Sequence, residues 1–131
     1  MKRLAIDVRP GEYAVVRLPA DAKVPAELFE PGEALVSVTR TPEELSVICP
    51  AGREPGGAMA SEDGWRLLSV RGPLEFTLTG IIAALASELA AAGVTLFSIS
   101  TFDTDHILVR GGDLDDAVTA LRESGHEVAR L

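Results

Sequence analysis

One cysteine in 131 residues, Cys49, rules out an internal disulfide, and its apolar neighbours Val47 and Ile48 mark it as a small buried hydrophobe rather than a nucleophile. Aromatic residues make up only 5% of the chain, so the flat platforms on which nucleic acid bases stack are scarce. Twelve basic residues face twenty acidic ones for a net charge of −8, and apart from Lys2-Arg3 the basic residues are scattered singly. Such a surface repels nucleic acid phosphates and anionic membranes. No apolar run approaches the roughly 18 residues of a membrane span, and the N-terminus carries Lys2, Arg3 and Asp7 but no apolar stretch of the signal-peptide kind. These shortages predict a cytoplasmic protein with no nucleic acid or membrane partner.

What is abundant is aliphatic: 47% of the residues are apolar, so the core must be built from Ala, Val, Leu and Ile. The length suits one compact domain or two small ones sharing a core. Leu4 to Val8 and Glu12 to Leu18 alternate around Arg9-Pro10-Gly11, a turn signal that predicts a hairpin. Pro25 to Phe29 has room for a turn or two of helix before Pro31-Gly32, and Ala34 to Thr39 reads as a strand. Thr41-Pro42-Glu43-Glu44 has the order of a helix-capping box, yet Leu45 to Cys49 is again strand-like, so the cap serves one turn at most. Residues 50–64, rich in Pro, Gly and Ala, read as a loop or linker.

From Trp65 the signals strengthen. Trp65 to Val70 is a predicted strand, and Arg71-Gly72-Pro73 breaks it. Leu78, Ile81, Ile82, Leu85 and Leu89 form the stripe of an amphipathic helix running from about residue 78 to 92 and stopping at Gly93. Strands follow at Val94 to Ser100 and Asp105 to Arg110. Asp113 is placed to cap a second helix with Leu114, Ala117, Val118 and Leu121 on its apolar face and Gly125 at its end. His126 to Leu131 closes the chain as a strand. The order β-α-β-β-α-β is that of a ferredoxin-like α+β unit, an antiparallel sheet with two helices on one face. The first half reads as an abbreviated copy. A shift of 61 residues lays LVSVTRTPEELSVI (35–48) on LFSISTFDTDHILV (96–109) without a gap, pairing Glu44 with Asp105.

Two stretches carry candidate chemistry. ISTFDTDHILV (99–109) puts two carboxylates and two threonines at the tip of a hairpin. An Asp-x-Asp after an apolar strand suits phosphoryl transfer, but that chemistry needs a metal and further carboxylates, and no matching Lys and Ser/Thr set is placed for it. A metal site fits poorly too, because Asp105 and His106 are adjacent in a strand and point to opposite faces. His126 reads equally well as an ordinary strand-end residue. If Phe102-Asp103-Thr104 is the loop, Thr101 and Asp105 face each other about 5 Å apart and could together hold an ammonium group. Asp and Thr are also plain turn residues, and the local pattern fits both readings equally. The second stretch, GPLEFTLTGI (72–81), leads into the first turn of the long helix, whose free N–H groups favour an anion such as a carboxylate. Gly80 would let a ligand approach the backbone, or else serve close packing of helix on sheet.

GPLEFTLTGIIAALASELAAAGVTLFSISTFDTDHILV, together with SVTRTPEELSVICP of the first half, resembles the bacterial ACT domain proteins related to the CASTOR arginine sensors and to aspartate kinase regulatory domains. The resemblance implies tandem ACT-like halves, here residues 1–60 as an abbreviated half with its linker and 61–131 as the full domain, and an amino acid held at the interface between them. Carried over, Gly80 and Ile81 would donate backbone N–H groups to the ligand carboxylate, Thr101 and Asp105 would receive its amino group, and the strand around Ser46 and Val47 would form the opposite wall. Arginine-sensing relatives place an acidic residue where Leu78 stands here, a departure that disfavours arginine and suggests an aliphatic or polar side chain.

The expectation is therefore a non-enzymatic, allosteric amino acid sensor, dimeric like many ACT proteins, needing neither cofactor nor metal and acting on a partner enzyme of amino acid metabolism. The alternative is an ACT scaffold that assembles with such an enzyme and binds no ligand; a small hydrolase ranks third.

Overall fold

Leu4, Ile6 and Val8 alternate with Ala5 and Asp7, and burying that one face decides where the first strand goes. In the structure, a computed structural model that describes residues 3–74 and 79–131, β1 (Ala5–Val8) pairs antiparallel with β5 (Ala60–Val70) and parallel with β8 (Glu127–Arg130). The hairpin expected around Arg9-Pro10-Gly11 is not formed. Arg9 instead continues the β1–β5 ladder by donating its N–H to Leu67 O at 2.8 Å. Beyond it the chain turns away at Gly11, whose φ of 83° lies in the left-handed region.

Two compact units result: the chain up to Pro10 with Arg66–Leu131, and Gly11–Trp65. The division drawn at residue 60 from sequence thus differs at the first ten residues and along β5. That strand begins at Ala60, inside the stretch read as a linker.

The larger unit has the expected order: β5, α1 (Ile81–Ala91), β6 (Leu96–Ser100), β7 (Asp105–Arg110), α2 (Leu114–Glu123) and β8. Its strands lie in the order β8-β1-β5-β7-β6, so β1 is an added strand between β8 and β5. One face carries both helices. Ile81, Leu85 and Leu89 of α1 and Leu114, Ala117, Val118 and Leu121 of α2 pack on Ile6, Val8, Leu68, Val70, Ile107 and Val109. Each helix stops in the same way, with Gly93 and Gly125 in the left-handed region. The following N–H groups of Val94 and His126 reach back to Leu89 O and Leu121 O.

Asp113 does not cap α2 with its side chain. Its backbone, at φ −100° and ψ −1° within a 3-10 turn over Gly111–Asp113, lacks the extended conformation that capping requires.

His126 is a structural hub rather than a plain strand end. Its ring is buried, Nδ1 accepts from Leu4 N–H at 3.1 Å, and Nε2 lies 2.8 Å from Glu88 Oε1. Because the Leu4 amide can only donate, Nδ1 must present its lone pair and Nε2 carries the proton given to Glu88. His126→Ala leaves a buried amide unpaired, and a loss of about 1–3 kcal/mol is expected, read as a lower urea midpoint with an unchanged slope.

In the smaller unit β2 (Tyr13–Leu18) lies between β4 (Leu45–Pro50) and the first half of β5, and β3 (Ser37–Arg40) flanks β4. Ala14, Val16, Leu18, Leu28, Leu45, Val47 and Cys49 form its core. The Pro25–Phe29 segment yields a single 3-10 turn, Ala26–Phe29. Cys49 is fully buried, and loss of water contact pushes its thiol pKa up, the opposite of what a nucleophile needs.

Candidate functional site

The tip of the β6–β7 hairpin is a four-residue turn. Thr101 N–H donates to Thr104 O at 2.9 Å, the Thr101 hydroxyl donates to the same carbonyl at 3.1 Å, and the hydroxyl oxygen accepts from Thr104 N–H at 3.4 Å. Ser100 and Asp105 form the last cross-strand pair, and Ser100 Oγ donates to Asp105 Oδ1 at 2.6 Å. Asp105 therefore faces Ser100, not Thr101 as the three-residue loop predicted. The Thr101 hydroxyl is used in the turn. Asp105 is half-buried, and among the described residues its second carboxylate oxygen accepts no hydrogen bond.

The same turn recurs in the smaller unit, where Thr41 N–H donates to Glu44 O at 2.9 Å and Thr41 Oγ1 accepts from the Glu43 and Glu44 amides at 3.2 Å. The would-be capping box makes this turn instead of a helix. With Arg40 opposite Leu45 and Ser100 opposite Asp105, the two hairpins correspond at an offset of 60, not 61. Leu45, not Glu44, occupies the position of Asp105. A slip of one residue exchanges the faces of a strand, and β7 conceals the slip because Ile107, Leu108 and Val109 are all buried.

The chain just after β5, up to Leu74, lies on this tip. Leu74 N–H donates to Asp103 O at 2.6 Å, and the Thr104 hydroxyl donates to Val70 O at 2.6 Å. Gly72 makes the contact possible, since a Cβ there would sit 3.0 Å from Asp103 O and 3.1 Å from Thr104 Cβ. Gly72→Ala is expected to displace the tip and cost about 1–2 kcal/mol, at the lower end of overpacking effects, visible as a lower melting temperature and shifted amide resonances at Asp103 and Thr104.

Helix α1 opens with Gly80 at φ 81° in the N-cap position, and open space lies where a Cβ would stand. The first-turn N–H groups, Ile81 among them, have no acceptor within the helix, while the Ile81 side chain is buried in the core. Leu78, and with it the comparison to an acidic residue at that position, lies outside the described residues. Ser46 and Val47 sit on β4 of the smaller unit: Ser46 is half-buried opposite Arg17 and Thr39, and the Val47 side chain is sealed in that unit's core. So the structure puts Thr101 and Asp105 on one hairpin, where Asp105 pairs with Ser100, and sets Gly72 and Leu74 against its tip. Among the described residues no three His, Cys, Asp or Glu side chains are grouped to bind a metal, and no helix is long and apolar enough to cross a membrane.

Sequence reasoning passed over the polar groups on the other face of this sheet. Asp7 forms a two-point ion pair with Arg71, and Ser69 bonds His106. The available signal was the placing of Asp7 and Ser69 singly in otherwise apolar strands.

Comparison with known proteins agrees with the fold. A model described as an ACT domain matches residues 60–123, and an N-terminal-domain model of a different family matches residues 11–56. The human cytosolic arginine sensor for mTORC1 subunit 1 is 38% identical over 64 residues, 48% of this chain and 20% of that protein. The match thus spans about a fifth of the length of such relatives. The crystal structure of protein Atu0741 from Agobacterium tumefaciens superposes with a TM-score of 0.88 at 35% identity, covering 100% of this chain and 96% of that one. The ligand-free regulatory subunit of aspartate kinase from Thermus thermophilus shares the fold, with a TM-score of 0.67 at 10% identity over 95% of this chain and 99% of that one.

Proposed function

Residues 60–123 match the ACT domain family, and on that premise we propose that the chain is a regulatory protein that binds a free amino acid and performs no chemistry on it. The observation that carries this reading is Asp105, fixed by Ser100 through one carboxylate oxygen and unengaged at the other. It stands on the hairpin whose tip accepts a hydrogen bond from Leu74 N–H. The ligand ammonium binds Asp105, with the Thr101 backbone beside it, and the ligand carboxylate binds the N–H groups of Gly80 and Ile81.

Regulation follows if the loaded and empty forms differ in how the protein pairs with itself or with a cytoplasmic enzyme of amino acid metabolism. Melting the protein with each common amino acid in turn tests the reading. A ligand of the native state at about 100 times its Kd adds roughly 2.7 kcal/mol, so one or a few amino acids are expected to raise the melting temperature saturably. No shift with any of them overturns the reading, and co-purification of an enzyme in that case favours a ligand-free scaffold.

A further inference from the structure

Residues 6, 8, 68 and 107 face the helices; their strand neighbours Asp7, Ser69 and His106 therefore face the other side of the sheet. There, with Arg9, Arg71 and Asp103, they line a recess of about 280 Å³ whose wall is completed by Val70, Gly72 and Pro73. Asp7 and Ser69 are almost wholly buried, at 7% and 4% exposure. Some of these groups are satisfied by one another. Arg71 donates to both Asp7 oxygens at 2.6 and 3.1 Å, and Ser69 Oγ lies 2.7 Å from His106 Nδ1. The Arg9 guanidinium and His106 Nε2 have no hydrogen-bond partner among the described residues.

We propose that this recess is a second ligand site, which takes the carboxylate of a small organic acid between the Arg9 guanidinium and the His106 imidazole.

The charges decide the class of ligand. Arg9 and Arg71 are balanced by Asp7 and Asp103 while His106 is neutral. The Arg71 hydrogen bonds hold the Asp7 carboxyl below its ordinary pKa against the opposing effect of burial, so it stays ionised. Burial first, and then the Arg9 charge, hold the His106 pKa below its ordinary value, with Asp105 opposing them. A monoanion beside Arg9 screens that cation and lets His106 take up a proton and donate from Nε2, so ligand and imidazolium neutralise each other. A dianion would instead set surplus negative charge against Asp7 and Asp103. A volume near the lower limit for small-molecule pockets, about 300 Å³, and the Val70–Pro73 wall suit an acid of a few carbons. The site is separate from the one assigned to the amino acid, because Asp105 and His106 are neighbours on β7 and point to opposite faces.

Histidine ring NMR on the full chain tests this directly, with the His106 signals assigned by their loss in His106→Gln and the buried His126 as internal control. Sodium acetate, compared with sodium chloride at equal ionic strength, is expected to shift the His106 signals saturably and raise its titration midpoint while His126 stays put. Arg9→Gln should weaken acetate binding about tenfold or more, the worth of a charge-assisted hydrogen bond. A shift equal to that in chloride, an absence of saturation, or indifference to Arg9→Gln overturns the proposal. Saturable binding of inorganic phosphate without binding of acetate overturns the carboxylate assignment.

Discussion

Asp105→Ala is expected to weaken amino acid binding about 10- to 150-fold, the factor that corresponds to losing one charge-assisted hydrogen bond worth about 1.5–3 kcal/mol. The fold should survive. Asp105 is half-buried at the first position of β7, its one side-chain partner is the Ser100 hydroxyl, and that pair is exposed. Such surface changes usually move stability by no more than about 0.5 kcal/mol. Asp105→Asn separates charge from shape, since an amide keeps an acceptor for Ser100 but cannot neutralise an ammonium group. A comparable loss in both variants, measured by calorimetric titration with the amino acid that raises the melting temperature, identifies the charge as the binding feature. Undiminished binding in either variant refutes the assignment of the ammonium to Asp105, even if the protein is a sensor.

Leu85→Ala is expected to have the largest effect on stability, about 2–5 kcal/mol out of the 5–15 kcal/mol that holds a typical domain together. Leu85 is fully buried in the middle of α1, within the cluster that includes Leu89, Ile107, Val109 and Leu121. Truncation removes three heavy atoms from a cluster drawn from both helices and from β1, β5, β7 and β8, and a core made of rigid elements closes over the gap only in part. Ser87, two positions along on the exposed side of the same helix, should tolerate Ala with little change. Urea unfolding of the two variants side by side checks the contrast. A loss below about 1 kcal/mol at Leu85 would mean that α1 is not seated on the sheet as described.

Much of the larger unit is legible in one dimension. Ile81, Leu85 and Leu89 of α1, the stripe of α2, the glycines that end both helices and the bounds of β7 match the periodicity and punctuation of the sequence, because each depends on residues within one or two turns of one another, although α1 starts at Ile81 and not near residue 78. Cys49 also behaves as its neighbours indicate. The expectations that failed concern partners. Leu4 to Val8 reads as a strand, but alternation says which face a strand buries and not which strand lies beside it. Burial of Ile6 and Val8 against both helices selects β5 and β8 over a hairpin with β2. The offset between the two hairpins failed for a related reason. The middle of β7, Ile107 to Val109, is apolar on both faces, so letter matching cannot distinguish 60 from 61, whereas the hydrogen bonds of the Thr41 and Thr101 turns do.

By itself, then, the sequence determined the order of elements, the helix stops, the aliphatic core and the polar hairpin tip, all of which rest on short-range spacing. Tertiary structure alone decided that Asp105 answers to Ser100, that Gly72 admits the hairpin tip to the loop, and that Arg71 and Asp7 meet across 64 positions and Ser69 and His106 across 37. Those pairings come from strand register and the packing of the sheet. A local pattern carries no information about which distant residue will stand opposite.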